Sequence, residues 1–154
     1  MKTKKDVKQE KAQSLVEFAG ALVVLVIILA GVVDLGRAIF TLFAMQDAAE
    51  EGIVFGTSFP THCDQIRERI QYNLANEILP DDITVWVTIE NNAGVQQSCD
   101  SIPVNNVYAG KEMQIEVTQT FNITMPLIGA FVGQTILLKA TANGIILRPQ
   151  PPDY

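Results

Sequence analysis

The chain has 154 residues, 48% of them hydrophobic and 18% charged, with a formal charge of −6. That length suits one modest domain plus an anchor. Nucleic-acid binding is excluded as a working class, because the acidic body offers no basic patch to neutralise phosphates. The charge is also unevenly placed. Residues 1–12 hold five lysines against Asp6 and Glu10, a net +3, whereas the remaining 142 residues sum to −9.

The leader, Met1 to Ala12, is polar and shows no apolar periodicity, so it reads as a disordered cytoplasmic segment. Phe18 to Val33 follows as sixteen residues without a charge. With Leu15 and Val16 before it and residues 38–45 beyond it, the run reaches the roughly 20 apolar residues that a spanning helix needs. It is too long for a strand. A cleaved secretory signal is disfavoured, since no small-x-small site follows the run. Five lysines precede it, and Arg37 is the single basic residue among the thirty that follow. The bias places the N-terminus in the cytoplasm and the body outside.

Glu17 stands at the start of this apolar stretch. An acid at mid-bilayer costs about 2.5–3.5 kcal/mol. Two readings follow: Glu17 sits at the cytoplasmic interface, or it pairs with a positive group supplied by processing or by a neighbour. Asp34 and Arg37, three apart, share a helix face and form a candidate ion pair at the outer interface.

Gln13-Ser-Leu-Val-Glu-Phe-Ala19, Val33-Asp-Leu-Gly-Arg37 and Gln46-Asp-Ala-Ala-Glu-Glu-Gly52 together resemble the TadE-like family. That family comprises pseudopilins of the tight-adherence (Flp pilus) system, akin to type IV pilins. The resemblance implies cleavage by a prepilin peptidase between Ala12 and Gln13. Glu17 then becomes the fifth mature residue, facing the new N-terminal amine, with Glu17 and Phe18 serving assembly and registration. Ala12 departs from the glycine usual before the cut. The resemblance further implies other pilin-like subunits and a pilus assembly platform as partners, in the inner membrane or in a pilus. It is strong over 13–56 and moderate over 114–143, and residues 57–110 show none.

Helical pattern continues to about Phe55, giving a transmembrane and projecting helix over 13–56. Ala48, Gly52 and Gly56 recur every four residues as a packing seam. The seam suits a partner helix or a seat for the protein's own sheet; the second is preferred, because the body must rest on something. Thr57-Ser-Phe-Pro60 breaks the helix. A second helix runs from Thr61 or His62 to about Ile78, with Ile66, Ile70, Leu74 and Ile78 at helical spacing. Pro80-Asp81-Asp82 turns the chain.

Residues 84–90 alternate, with Val85, Val87 and Ile89 on one face and Trp86 on the other. Residues 91–111 read as a long loop. Met113, Ile115 and Val117 mark a second strand. Pro126, Gly129 and Gly133 mark an apolar loop, and Thr135 to Leu147 a third strand. The Pro-rich end, 148–154, is a flexible tail. The expected fold is α+β and pilin-like: a long N-terminal transmembrane helix, a small helix and a three-stranded antiparallel sheet, with 57–147 as the extracytoplasmic domain.

Cys63 and Cys99 fall outside the cytoplasm on this reading, where a disulfide persists. His62 beside Cys63 and Asp64 invites a nucleophile reading, but adjacent residues rarely present side chains to one another, and a Cys–His pair is assembled from separated positions. Asp81-Asp82 and Glu50-Glu51 read as a solvated turn and a solvated helix face. Nothing resembles a phosphate loop or nucleophile elbow. No catalytic set, metal site or cofactor is expected. The function expected is a minor pseudopilin that packs its helix in the membrane or pilus base, with membrane lipid around it. The alternative is a single-pass anchored extracytoplasmic binding module.

Overall fold

The computed structural model describes residues 4–75, 83–125, 129–130 and 133–147, with the backbone alone for 4–12. Helix α1 runs from Lys4 to Ser58. It starts at Lys4 rather than at Gln13, so residues 4–12 are helical where a disordered leader is expected. The reason is local: seven of its nine residues are Lys, Glu, Gln or Ala, good helix formers, and it holds no glycine or proline. Pro60 cannot continue the helix, and the last turn closes with Thr57 Oγ1 donating to the Val54 carbonyl at 3.2 Å. Helix α2, Cys63–Ala75, follows. The Ile66 amide donates back to His62, and Asp64 lies in the first turn, where the helix dipole favours an acid. The expected end at Ile78 and the Pro80-Asp81-Asp82 turn lie outside the described residues, as do Pro126 and the tail 148–154.

The strands are β1 (Ile83–Glu90), β2 (Gln96–Ser98), β3 (Glu112–Asn122) and β4 (Thr135–Ile145). They form one antiparallel sheet in the order β2-β1-β3-β4. The expected three strands are thus four. Strand β2 is a polar Gln-Gln-Ser with no apolar alternation to announce it. Its hairpin is set by Asn91, whose side-chain oxygen accepts from the amides of Ala93 and Val95 at 2.8 and 3.0 Å. The rest of the expected loop contains two single 3-10 turns, Cys99–Ser101 and Val104–Asn106.

The described chain falls into two compact units. One comprises α1 as far as Arg37 together with the Ile123–Gln134 connection between β3 and β4. In it the Ile123 amide donates to Gln134, Gly129 to Met125 and Gly133 to Gly129, at 2.9–3.0 Å. Large apolar side chains of α1 from Leu15 to Leu35 stand exposed. A helix apolar all round is either buried or a membrane span.

The other unit holds the rest of α1, α2 and the four strands. Its core joins Met45, Ala48, Ala49 and Ile53 of α1 to Ile66, Ile70 and Leu74 of α2 and to the inner sheet face, including Val87, Ile89, Met113, Ile115 and Val117. Both helices therefore cover one face of the sheet, a two-layer α+β arrangement. Burying each of these Ile and Leu side chains contributes about 1.5–3 kcal/mol. The approach is close where glycines face it. A Cβ added to Gly52 would lie 2.6 Å from Ile70 Cδ1, and one on Gly56 2.6 Å from Met113 Sδ. The rim of β4 is also tied to α1. The Leu147 amide donates to the Thr57 carbonyl at 3.0 Å, and the Gln46 side-chain Nε2 to the Thr141 carbonyl at 3.4 Å. On the outer face Trp86 is exposed, opposite Glu116 in the register, and Glu116 pairs with Lys139 at 2.8 Å.

Replacing Gly52 by valine should destabilise this unit by about 1–3 kcal/mol through overpacking. Gly36→Ala should leave it unchanged, since nothing lies within 4 Å of an added Cβ there. Urea titration of the detergent-solubilised chain, followed by Trp86 fluorescence, reads both.

Candidate functional site

Helix α1 is long and apolar enough to cross a membrane. At the N-terminal end of its apolar stretch, Glu17 is exposed and its Oε1 accepts from Gln13 Nε2 at 3.3 Å, one helical turn away. Phe18 beside it is exposed. These two side chains therefore stand on the helix surface, available to whatever surrounds it. Ala12 lies in the helical backbone, and its side chain is outside the described residues.

Asp34 behaves differently. It is 6% exposed, although its neighbours Val33 and Leu35 are both above 60%. One carboxylate oxygen accepts from Arg37 at 3.3 Å and from the Thr124 hydroxyl. The other accepts from the Met125 amide at 2.8 Å. Arg37 also donates to Thr124 Oγ1 at 3.1 Å. The expected pair is thus half of a four-membered clip that fastens the β3–β4 connection to α1. Sequence gives no cue to Thr124 and Met125, because they lie about ninety positions from Asp34.

The small-residue row is seated within its own unit. Ala48 is 3% exposed, and Gly52 and Gly56 face Ile70, Ile66 and Met113. The intramolecular seat fills that face of the helix.

Cys63 and Cys99 form a disulfide with Cα atoms 6.0 Å apart, closing a separation of 36 residues. Chain-entropy bookkeeping gives such a loop about 4 kcal/mol. Beside it Arg67 forks onto Asp100, with Nη1 to Oδ1 at 3.0 Å and Nη2 to Oδ2 as the second contact. Asp64 joins Arg67 at 3.2 Å. So α2 is held twice to the segment after β2, once covalently and once by a two-pronged ion pair. The guanidinium holds the Asp100 carboxyl below its usual range, and Asp100 in turn raises Arg67. The disulfide takes the Cys63 sulfur, so His62 has no thiol to activate. His62 instead meets the Phe59 ring edge-on at 5.9 Å. Among the described residues no cluster of three His, Cys, Asp or Glu is placed to hold a metal.

The arrangement at Glu17, Phe18 and Asp34 is that of an apolar rod with an acid at one end and a fastened loop at the other. Residues 12–53 match the family model for TadE-like proteins. The matched segment takes in Gln13, Glu17, Phe18, Asp34, Arg37, Ala48 and Gly52, and leaves Gly56, both cysteines and every described strand outside. This family is tied to the tight-adherence (Flp) pilus system. No significant match was found among curated proteins or among solved structures.

Two measurements probe these contacts. Asp34→Ala removes the acceptor of the Met125 amide, so hydrogen exchange at that amide should accelerate at least tenfold while the β3 amides keep their protection. Asp100 has a depressed folded value, so its contribution is complete above about pH 4, its unfolded range, and is lost as pH falls through the lower folded value. Both partners are partly solvated, which limits the pair to at most about 1 kcal/mol. Asp100→Asn should therefore flatten the acid limb of the urea midpoint between about pH 5 and about pH 2.

Proposed function

We propose that this protein is a minor pilin-like component of a tight-adherence pilus, anchored by α1 and acting through helix packing in the membrane or at the pilus base. One observation carries the reading: the TadE-like match takes in the stretch of α1 that is apolar, exposed and headed by Glu17. A surface of bare Leu, Val and Ile needs a non-aqueous surrounding, which lipid and the apolar helices of other subunits both supply.

In this reading the N-terminus lies in the cytoplasm and the sheet-bearing unit outside, in keeping with the lysines before the span. A prepilin peptidase cuts between Ala12 and Gln13. The freed amine of a neighbouring subunit, or of Gln13 itself, offers a positive charge to Glu17. An opposite charge offsets the desolvation of the carboxylate and fixes the axial register of one helix on the next. The assembly platform of the inner membrane is the second partner. The role is structural, with the extracytoplasmic unit presented on the anchored helix.

A second reading has one observation in its favour. Trp86 is 57% exposed on the outer sheet face, in a part of the chain that the family match does not reach. On that reading the protein is an anchored binding module, and the sheet face is its working surface.

Mass spectrometry of the protein from cells that contain the peptidase should find Gln13 as the first residue. Glu17→Ala should leave membrane insertion intact and abolish pilus assembly. A retained Met1 or Lys2 terminus would count against processing, and normal pili in the Glu17 variant would remove the registration role.

A further inference from the structure

The β3–β4 connection has a composition unlike the other turns. Ile123 to Gln134 contains no charged residue, and its sequence includes Met125, Leu127, Ile128, Phe131 and Val132. It shares a compact unit with the apolar part of α1, and among the described residues no strand belongs to that unit.

The helix records where the connection lies. From Gln13 to Val26 every residue of α1 is exposed. Then Ile27, Ala30 and Gly31 become partly covered and Asp34 buried, while the residues between them stay exposed. Those four positions fall on one helix face at i, i+3, i+4 and i+7. The covered stripe thus reaches seven residues, about 10 Å, from Asp34 back into the uncharged run. The compact unit that holds this stripe joins α1 to the 123–134 connection.

A segment at that depth needs its backbone satisfied without water. Four of the described amides meet this demand. The Met125 amide is taken by Asp34, and the amides of Ile123, Gly129 and Gly133 all have carbonyl partners inside the connection. Twelve residues are too few to span, and a short apolar segment of that length suits an interfacial or re-entrant position. The buried Asp34 carboxylate is then explained as well: it occurs in an apolar run because it closes the entry of the connection.

We propose that the β3–β4 connection enters the outer apolar layer of the membrane beside α1, as a second, non-spanning lipid contact of the chain. This rests on the reading of α1 as a membrane span. The occupant of its outward side is lipid acyl chain. A chain tethered at two places has less freedom to swivel about the helix axis than one tethered at a single helix.

The test uses the full chain in lipid nanodiscs with one added cysteine, the native pair being disulfide-bonded. Nitroxide labels go at Leu25, Ala130 and Val95, all exposed. Power saturation compares oxygen, which partitions into lipid, with a water-soluble nickel chelate. Oxygen should dominate at Leu25 and Ala130, and nickel at Val95. Nickel dominance at Ala130 with oxygen dominance at Leu25 overturns the loop proposal alone. Nickel dominance at Leu25 overturns the membrane reading itself. Protection of Ala130 from both reagents means a protein neighbour covers it, and also overturns the proposal. As an independent measurement, Ala130→Trp in a Trp86→Phe background should be quenched by lipids brominated on the acyl chain. Quenching by aqueous iodide alone overturns the proposal.

Discussion

Gly52 and Gly56 set how near α1 can come to the elements around it, and much of the second unit follows from that distance. With no Cβ at either position, Ile70 and Met113 occupy space that any larger residue would claim. Gly144 on β4 answers them from the other side, since a Cβ there would sit 2.8 Å from both Ile53 and Thr57. Close approach brings Met45, Ala49 and Ile53 into the same core as the inner faces of β1 and β3. The sheet thereby uses α1 as part of its own interior.

The same helix carries two kinds of surface in sequence. Its N-terminal part is apolar all round and exposed; its C-terminal part buries only one side. Two cross-connections fix the chain elsewhere. The disulfide and the Arg67–Asp100 fork act on the far side of α2. Asp34 acts on the β3–β4 connection. Each joins segments distant in sequence, where loop-closure entropy would otherwise favour separation.

What the sequence disclosed divides along physical lines. The apolar run, the alternation of Val85, Val87 and Ile89 and the helical spacing of Ile66, Ile70 and Leu74 were all legible, because burial imposes a period on residue type. The exposed Trp86 was not assignable, since a large ring suits either sheet face. Strand β2 escaped notice because an edge strand of Gln and Ser owes its place to backbone pairing with Thr88–Glu90 and not to burial. The helical backbone of residues 4–12 is not legible, because propensity without an amphipathic period leaves no repeat in the sequence. At the candidate site, Glu17 stood out as a charge in an apolar context. Asp34 stood out for the same reason, yet its main partners did not: one is a backbone amide, which has no letter in a sequence, and the other a threonine of a remote loop.

The rim of β4 carries a further consequence. A long terminal strand with a single charge, Lys139, would ordinarily offer a template on which another chain can add itself, the usual route to runaway sheet growth. Here the Thr141 carbonyl is engaged by Gln46, and the Leu147 amide just beyond the strand by Thr57. An incoming strand would have to displace both. The same helix that seats the sheet thus also guards this part of its edge.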